Sequence, residues 1–180
     1  EADIDAPVQF DTAADVTVAA GAELEVNGAA TVNGGTYNLD DGTLDFDSTL
    51  SIGSATFNDV GVADTAEVFF DGITTYTGGT IGSSAIITQR GAATINGATV
   101  INGSVVNLDG DGTTTVTLND DLTINADSLE NSSNKFDGTL TINGRSNELT
   151  VNTVSPWVMD GTLEITTSYT TTYPAISGQD

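Results

Sequence analysis

Residues 26–40 (VNGAATVNGGTYNLD) and 95–109 (INGATVINGSVVNLD) are identical at eight of fifteen positions when laid over one another at an offset of 69. Val26/Ile95 and Val32/Ile101 are conservative besides. With a three-residue insertion the match carries on and places Leu44, Leu50 and Ile52 on Val116, Leu122 and Ile124. A shorter period shows further along, where 136–142 (FDGTLTI) and 159–165 (MDGTLEI) agree at five of seven positions, 23 apart. Three times 23 is 69, so both offsets follow from one unit of 23 residues. A fixed period of this length marks architectures in which each unit buries its apolar face against the next.

Within the units the commonest element is an aliphatic, polar, aliphatic triplet, as in Val16/Val18, Leu24/Val26, Leu44/Phe46, Leu50/Ile52, Val116/Leu118, Leu140/Ile142 and Leu163/Ile165. Alternation with period two reads as strand. Asn, Asp and Gly flank most triplets, for example Val26-Asn27-Gly28, Ile95-Asn96-Gly97 and Ile142-Asn143-Gly144. These residues turn the chain sharply, because they tolerate left-handed backbone and bond their own main chain. No segment spaces apolar residues for a helix.

Asn-Gly between alternating apolar residues is also a hairpin signal, which would make an antiparallel sandwich. A sandwich gives no reason for a repeat every 23 residues, whereas a parallel solenoid stacks like positions and selects like residues. The expectation is therefore an all-β fold, a right-handed parallel β-solenoid of about 23 residues per coil. It would span residues 1–168 in about seven or eight coils, forming a rod on the order of 35 Å long at the spacing of paired strands. The hexad spacing of Asn27/Asn33 and Asn96/Asn102 hints at a left-handed hexapeptide helix, but 23 is not a multiple of six. Residues 169–180 lose the triplets and are expected to form a cap, a linker or a segment donated to a neighbour.

Composition narrows the partners. Three basic residues against 26 acidic ones leave a net charge of −23 in 180 residues. Phosphate-binding surfaces draw their affinity from clustered Lys and Arg, so nucleic acid is excluded as a partner, and an acidic membrane surface is disfavoured for the same reason. Apolar residues still make up 38%, in ordered alternation, so the charge does not imply disorder. Cysteine is absent, which removes disulfides and thiol chemistry. No apolar run is long enough for a membrane span, and Glu1-Ala2-Asp3-Ile4-Asp5 lacks the features of a signal peptide, so the chain is expected to be mature or cut from something longer.

The Asn-Gly-bounded Thr/Val/Ile triplets and the Asp-Gly-Thr-Leu repeats at 41–44, 137–140 and 160–163 resemble, in general type, the repeat-rich β-helical regions of bacterial extracellular proteins, of the autotransporter-passenger or large surface-adhesin kind. The resemblance implies an extracellular or cell-surface location and a structural or adhesive role, and it carries over no functional residue.

Chemistry has few candidates. Histidine is absent, and Arg90 and Arg145 are the only arginines, so neither a triad nor the cation cluster of a polysaccharide lyase can be assembled. Asp40/Asp41, Asp45/Asp47 and Asp120/Asp121 could in form supply paired carboxylates for glycoside hydrolysis, but adjacent acids are expected by chance in so acidic a chain. The chain is read as non-catalytic. Calcium is the one cofactor considered, through Asp109, Asp111, Asn119, Asp120 and Asp121, hard oxygen ligands around flexible glycines. The bland reading of that segment is a solvated corner loop. Carbohydrate contact would fall to Trp157, Tyr169 and Tyr173, with Tyr37 and Tyr76 as further outward platforms if they are not core. Phe46, Phe69, Phe70 and Phe136 are expected in the core. The remaining functional expectations are a cell-surface or matrix partner, end-to-end self-association through open strand edges, a carbohydrate-binding or carbohydrate-active domain, and a calcium-stabilised matrix protein.

Overall fold

The computed structural model describes residues 1–63, 65–107, 115–126, 135–136, 139–143, 149–153, 158–159 and 162–166, with side chains through residue 102, for 115–125 and at Leu149. Among these no helix forms, and every strand pairing is parallel. Each coil contributes three strands, one to each of three faces. The first coil is β1 (Ala2–Asp3), β2 (Val8–Phe10) and β3 (Asp15–Val18); the second is β4 (Glu23–Val26), β5 (Ala30–Val32) and β6 (Thr36–Leu39). The third is β7 (Thr43–Phe46), β8 (Leu50–Ile52) and β9 (Ala55–Asp59). After β10 (Glu67–Phe70), two long strands, β11 (Thr74–Gln89) and β12 (Ala93–Asn107), run through the corners and serve several faces in turn. Residues 1–107 thus make about five turns, with paired strands about 21 residues apart.

The second face continues through β13 (Thr115–Leu118). The third continues through β14 (Leu122–Ala126). β15 (Lys135–Phe136) leads to β16 (Thr139–Asn143), which stacks on β13, and β17 (Leu149–Thr153) stacks on β14. β18 (Val158–Met159) pairs with β15, and β19 (Thr162–Thr166) with β16.

Coil length is not constant. Leu24 pairs with Leu44, 20 residues on, Leu44 with Val68, 24 on, and Val68 with Ile87, 19 on. The expected 23 holds from Ala93 to Val116 and from Leu140 to Leu163. The 69-residue match is consequently not three coils in register. Three coils take Val32 through Ile52 and Tyr76 to Ile95, a span of 63, so at 69 Val26 on the first face is laid on Ile95 on the second. The match reports that one face and its corner look like the next, and a face with its corner takes about six or seven residues. That is the physical source of the hexad spacing.

The inward side chains stack coil on coil. Val32, Ile52, Tyr76, Ile95 and Leu118 form one ladder of the second face and Leu24, Leu44, Val68 and Ile87 one of the first. Apart from half-buried Leu24, all of these are buried. Burying each such side chain contributes about 1.5–3 kcal/mol. Rings link the faces through the middle, Tyr37 to Phe57 at 5.0 Å, Phe57 to Phe70 at 6.3 Å and Phe70 to Tyr76 at 6.4 Å between centroids. Tyr37 and Tyr76 are therefore core residues and not outward platforms. Burial raises both phenols above their ordinary pKa.

Of the buried polar residues among those described, Thr74, Thr88, Gln89 and Thr99, only Gln89 carries an amide. The first-face ladder Val26, Phe46, Phe70 leads to Gln89, which is 1% exposed. Its Nε2 donates to the Phe70 carbonyl (3.1 Å), the Gly91 carbonyl (3.0 Å) and Thr74 Oγ1 (3.3 Å), and its Oε1 accepts from the Tyr76 hydroxyl at 2.8 Å. A buried amide with both ends satisfied holds two faces in one register.

Candidate functional site

Strands alternate inward and outward, so the parallel register that builds the core also sorts the surface into columns. The three faces differ sharply in charge. On the first, the outward column runs Asp3, Glu25, Asp45, Phe69, Thr88. Beside it the corner column runs Asp5, Asn27, Asp47, Asp71, Arg90. There Asn27 Nδ2 donates to Asp5 Oδ1 at 3.1 Å and Arg90 Nη1 to Asp71 Oδ2 at 3.2 Å. Phe69 was expected in the core. It sits outward instead, half-buried, because the inward places of its strand are taken by Val68 and Phe70, and the Arg90 guanidinium covers its ring at 3.7 Å.

Like charges are stacked here, with Arg90 set against the Asp71 end of the column. The carboxylates of Asp45, Asp47 and Asp71 lie within 4.8 Å of one another, as do those of Glu1, Asp3 and Glu25. Partial burial, and after it the neighbouring Asp71 and Asp47, push Asp45 up to about 7, against the opposing pull of Arg90. Its Oδ1 is buried without a hydrogen-bond partner. Glu25 is raised as well, first by a hydrogen bond shared with Asp47 and then by desolvation and the charges of Asp47, Asp3 and Glu1. A shallow depression at the same corner lies between Asp47, Asp71, Ile73 and Ala92. These oxygens are of the hard type that calcium takes, and protonation of Asp45 relieves the same repulsion without an ion.

The second face is the opposite case. Its middle outward column starts at Gln9 and runs Thr31, Ser51, Thr75, Thr94, Thr117, one hydroxyl per coil in unbroken register from Thr31 on, and the backbone register carries it to Thr141 and then to Glu164. The flanking columns are Ala29, Thr49, Ile73, Ala92, Thr115 and, at the corner, Asn33, Gly53 and Thr77, then Asn96 and Asn119 after a bulge that pairs Thr77 with Gly97. None of these flanking residues carries a charge, and none of the middle column does before Glu164. Ile73 is 60% exposed here. The hydroxyls of Thr31, Ser51, Thr75, Thr94 and Thr117 make no hydrogen bond to another described group. The asparagine columns, by contrast, satisfy themselves: Asn58 Nδ2 donates to Asn38 Oδ1, Asn119 Nδ2 to Asn96 Oδ1 and Asn125 Nδ2 to Asn102 Oδ1, at 3.1, 2.8 and 2.7 Å.

Comparison of the chain with protein-family models, with curated proteins and with solved structures finds no match.

Of the calcium candidates, Asn119 is held by Asn96, and Asp120 Oδ1 accepts the Asp121 amide at 2.8 Å while the Asp121 carbonyl accepts the Thr99 amide. Asp109 and Asp111 lie outside the described residues, as do the aromatic candidates Trp157, Tyr169 and Tyr173 and the segment 169–180. Other acids have structural work. Asp41, at φ 51°, accepts the amides of Val62, Ala63 and Thr65, and Asp59 accepts those of Gly61 and Ala66, which together hold the loop that lengthens this coil. Sequence reasoning missed the convergence of Asp71 with Asp45 and Asp47, and the hydroxyl column. Both are visible only once the uneven coil lengths put residues 24 or 19 apart side by side.

Proposed function

We propose that the chain is a non-catalytic structural or adhesive module of an extracellular surface protein or filament, and that the second face is the surface it presents. The observation that carries this reading is the segregation of charge. In a chain of net charge −23, the second face shows an uncharged, evenly spaced hydroxyl column over at least five coils. Charged columns keep their own water, whereas a neutral surface of methyls and hydroxyls costs less to desolvate than a charged one, provided the hydroxyls find new bonds on the surface they meet. The acidic first face then keeps the rod soluble and orients it.

Beads coated with the chain are expected to adhere to one or more uncharged solids in a panel of ice, crystalline cellulose, chitin and polystyrene. Adhesion should change little with salt and be lost in Thr75→Lys/Thr94→Lys. The third-face control Thr56→Lys, at an exposed outward position, should keep it. Loss on changing the first face, with the second-face variant unaffected, would contradict the assignment.

A second reading, a calcium-stabilised matrix protein, is favoured by the grouping of Asp45, Asp47 and Asp71. A melting temperature raised by millimolar calcium and lowered again by chelator would support it. An unchanged one would remove it.

A further inference from the structure

We infer that the hydroxyl column of the second face binds ice, the crystalline hydrogen-bonded lattice of water; this rests on the adhesive reading above and names its partner. The argument is one of spacing, charge and free bonding capacity. Strands stacked in parallel register repeat every 4.7–4.9 Å or so, and that is the interval between the hydroxyl-bearing residues Thr31, Ser51, Thr75, Thr94 and Thr117. Water oxygens joined by hydrogen bonds of about 2.75 Å in tetrahedral geometry lie about 4.5 Å apart when they share a neighbour. The mismatch is about 4–9%, small enough for a few consecutive hydroxyls to meet lattice sites before register is lost. Across the face, outward residues two apart, such as Thr115 and Thr117, are separated by about 6.7 Å, and the longer repeat of the same tetrahedral lattice is about 7.3 Å.

Three further features fit this partner. The hydroxyls have no bond to another described group of the protein, so they are open to one outside it. Their backbone is fixed from below by the buried ladder Val32, Ile52, Tyr76, Ile95, Leu118, so the array is held in place before it meets a surface. Stacked side-chain ladders keep a sheet flat that would otherwise twist out of register with a crystal. A neutral polysaccharide shares the charge match but is ordinarily gripped by outward aromatic rings, and among the described residues none stands in the outward columns of this face. The observations therefore favour the water lattice.

The test is partition of the whole chain between a slowly growing ice front and the liquid, alongside binding to crystalline cellulose and chitin. The wild type is expected in the ice fraction. Thr75→Lys and Thr94→Lys should be excluded from it, with Thr56→Lys retained and circular dichroism unchanged in all. Thr94→Val, which keeps the shape and one methyl while losing the hydroxyl, should weaken incorporation less than the lysine. Binding to cellulose or chitin but exclusion from ice would overturn the inference and leave the adhesive reading standing. Binding to none of the solids in either assay would overturn both. Incorporation of all the variants alike would overturn the placement on the second face.

Discussion

Asp45 shows how a single residue answers to the column it stands in. Its ordinary carboxyl would be ionised above the acid range, but partial burial and two stacked acids raise its pKa in the fold to about 7. The folded protein therefore holds a proton between about pH 4 and 7 that the unfolded chain has released, so stability falls as pH rises through that window. In Asp45→Asn this term is absent. The variant is expected to melt at the same temperature as the wild type near pH 4 and higher above pH 7, in thermal melts run with chelator present. A variant less stable than wild type at pH 8 would mean that the carboxylate is held by Arg90 more strongly than it is repelled. Gln89 makes the complementary case in the core. Tyr76→Phe leaves Gln89 Oε1 buried and unpaired, and a cost of about 1–3 kcal/mol is expected from denaturant titration. Adding Gln89→Leu to Tyr76→Phe should cost less than the two single changes summed, because the partners act as one unit.

At the scale of the strand and its corner, close stacking of backbones sets what the turns tolerate. Ala6, Gly28, Ser48, Gly72 and Gly91 follow one another along the corner between the first and second faces. A Cβ on Gly72 would overlap the Ser48 carbonyl, and one on Gly91 would overlap the Gly72 carbonyl. Gly72→Ala must push two coils apart and is expected to lower the melting temperature by several degrees. Gly82→Ala, which meets open space on the third face, should leave it within about a degree or two of wild type. Much of this level was legible in the sequence. The period-two triplets marked the strands and the Asn-Gly and Asp-Gly pairs the corners, because strand alternation and turn chemistry are local properties. The coil length was legible only where it is regular, as at Leu140 and Leu163. Where Asp41 and Asp59 hold an enlarged corner, or β11 turns through its bulges, the offset changes, and no local residue signal announces by how much. Since the columns depend on those offsets, the pairing of Phe69 with Asp45 and of Thr75 with Ser51 was hidden along with them. The glutamine in the core was equally unannounced, for its partners come from the neighbouring face.

For the whole molecule the consequence of one in-register stack is a rod whose faces have separate chemistries: acidic, hydroxylated and amide-rich. Contacts run between neighbouring coils, so stability accumulates along the axis coil by coil. All the functional reasoning depends on that stacking, and distance growth along the second face measures it directly. The chain has no cysteine, so nitroxide pairs can be placed without background. Gln9 and Thr117 are five strand steps apart through Thr31, Ser51, Thr75 and Thr94, and Thr31 and Thr117 four. Labels at Gln9→Cys/Thr117→Cys should show a pulsed-dipolar distance centred near 24 Å, and labels at Thr31→Cys/Thr117→Cys one about 5 Å shorter. Equal distances for the two pairs, or a longer one for the second, would contradict the stack and every conclusion drawn from its faces.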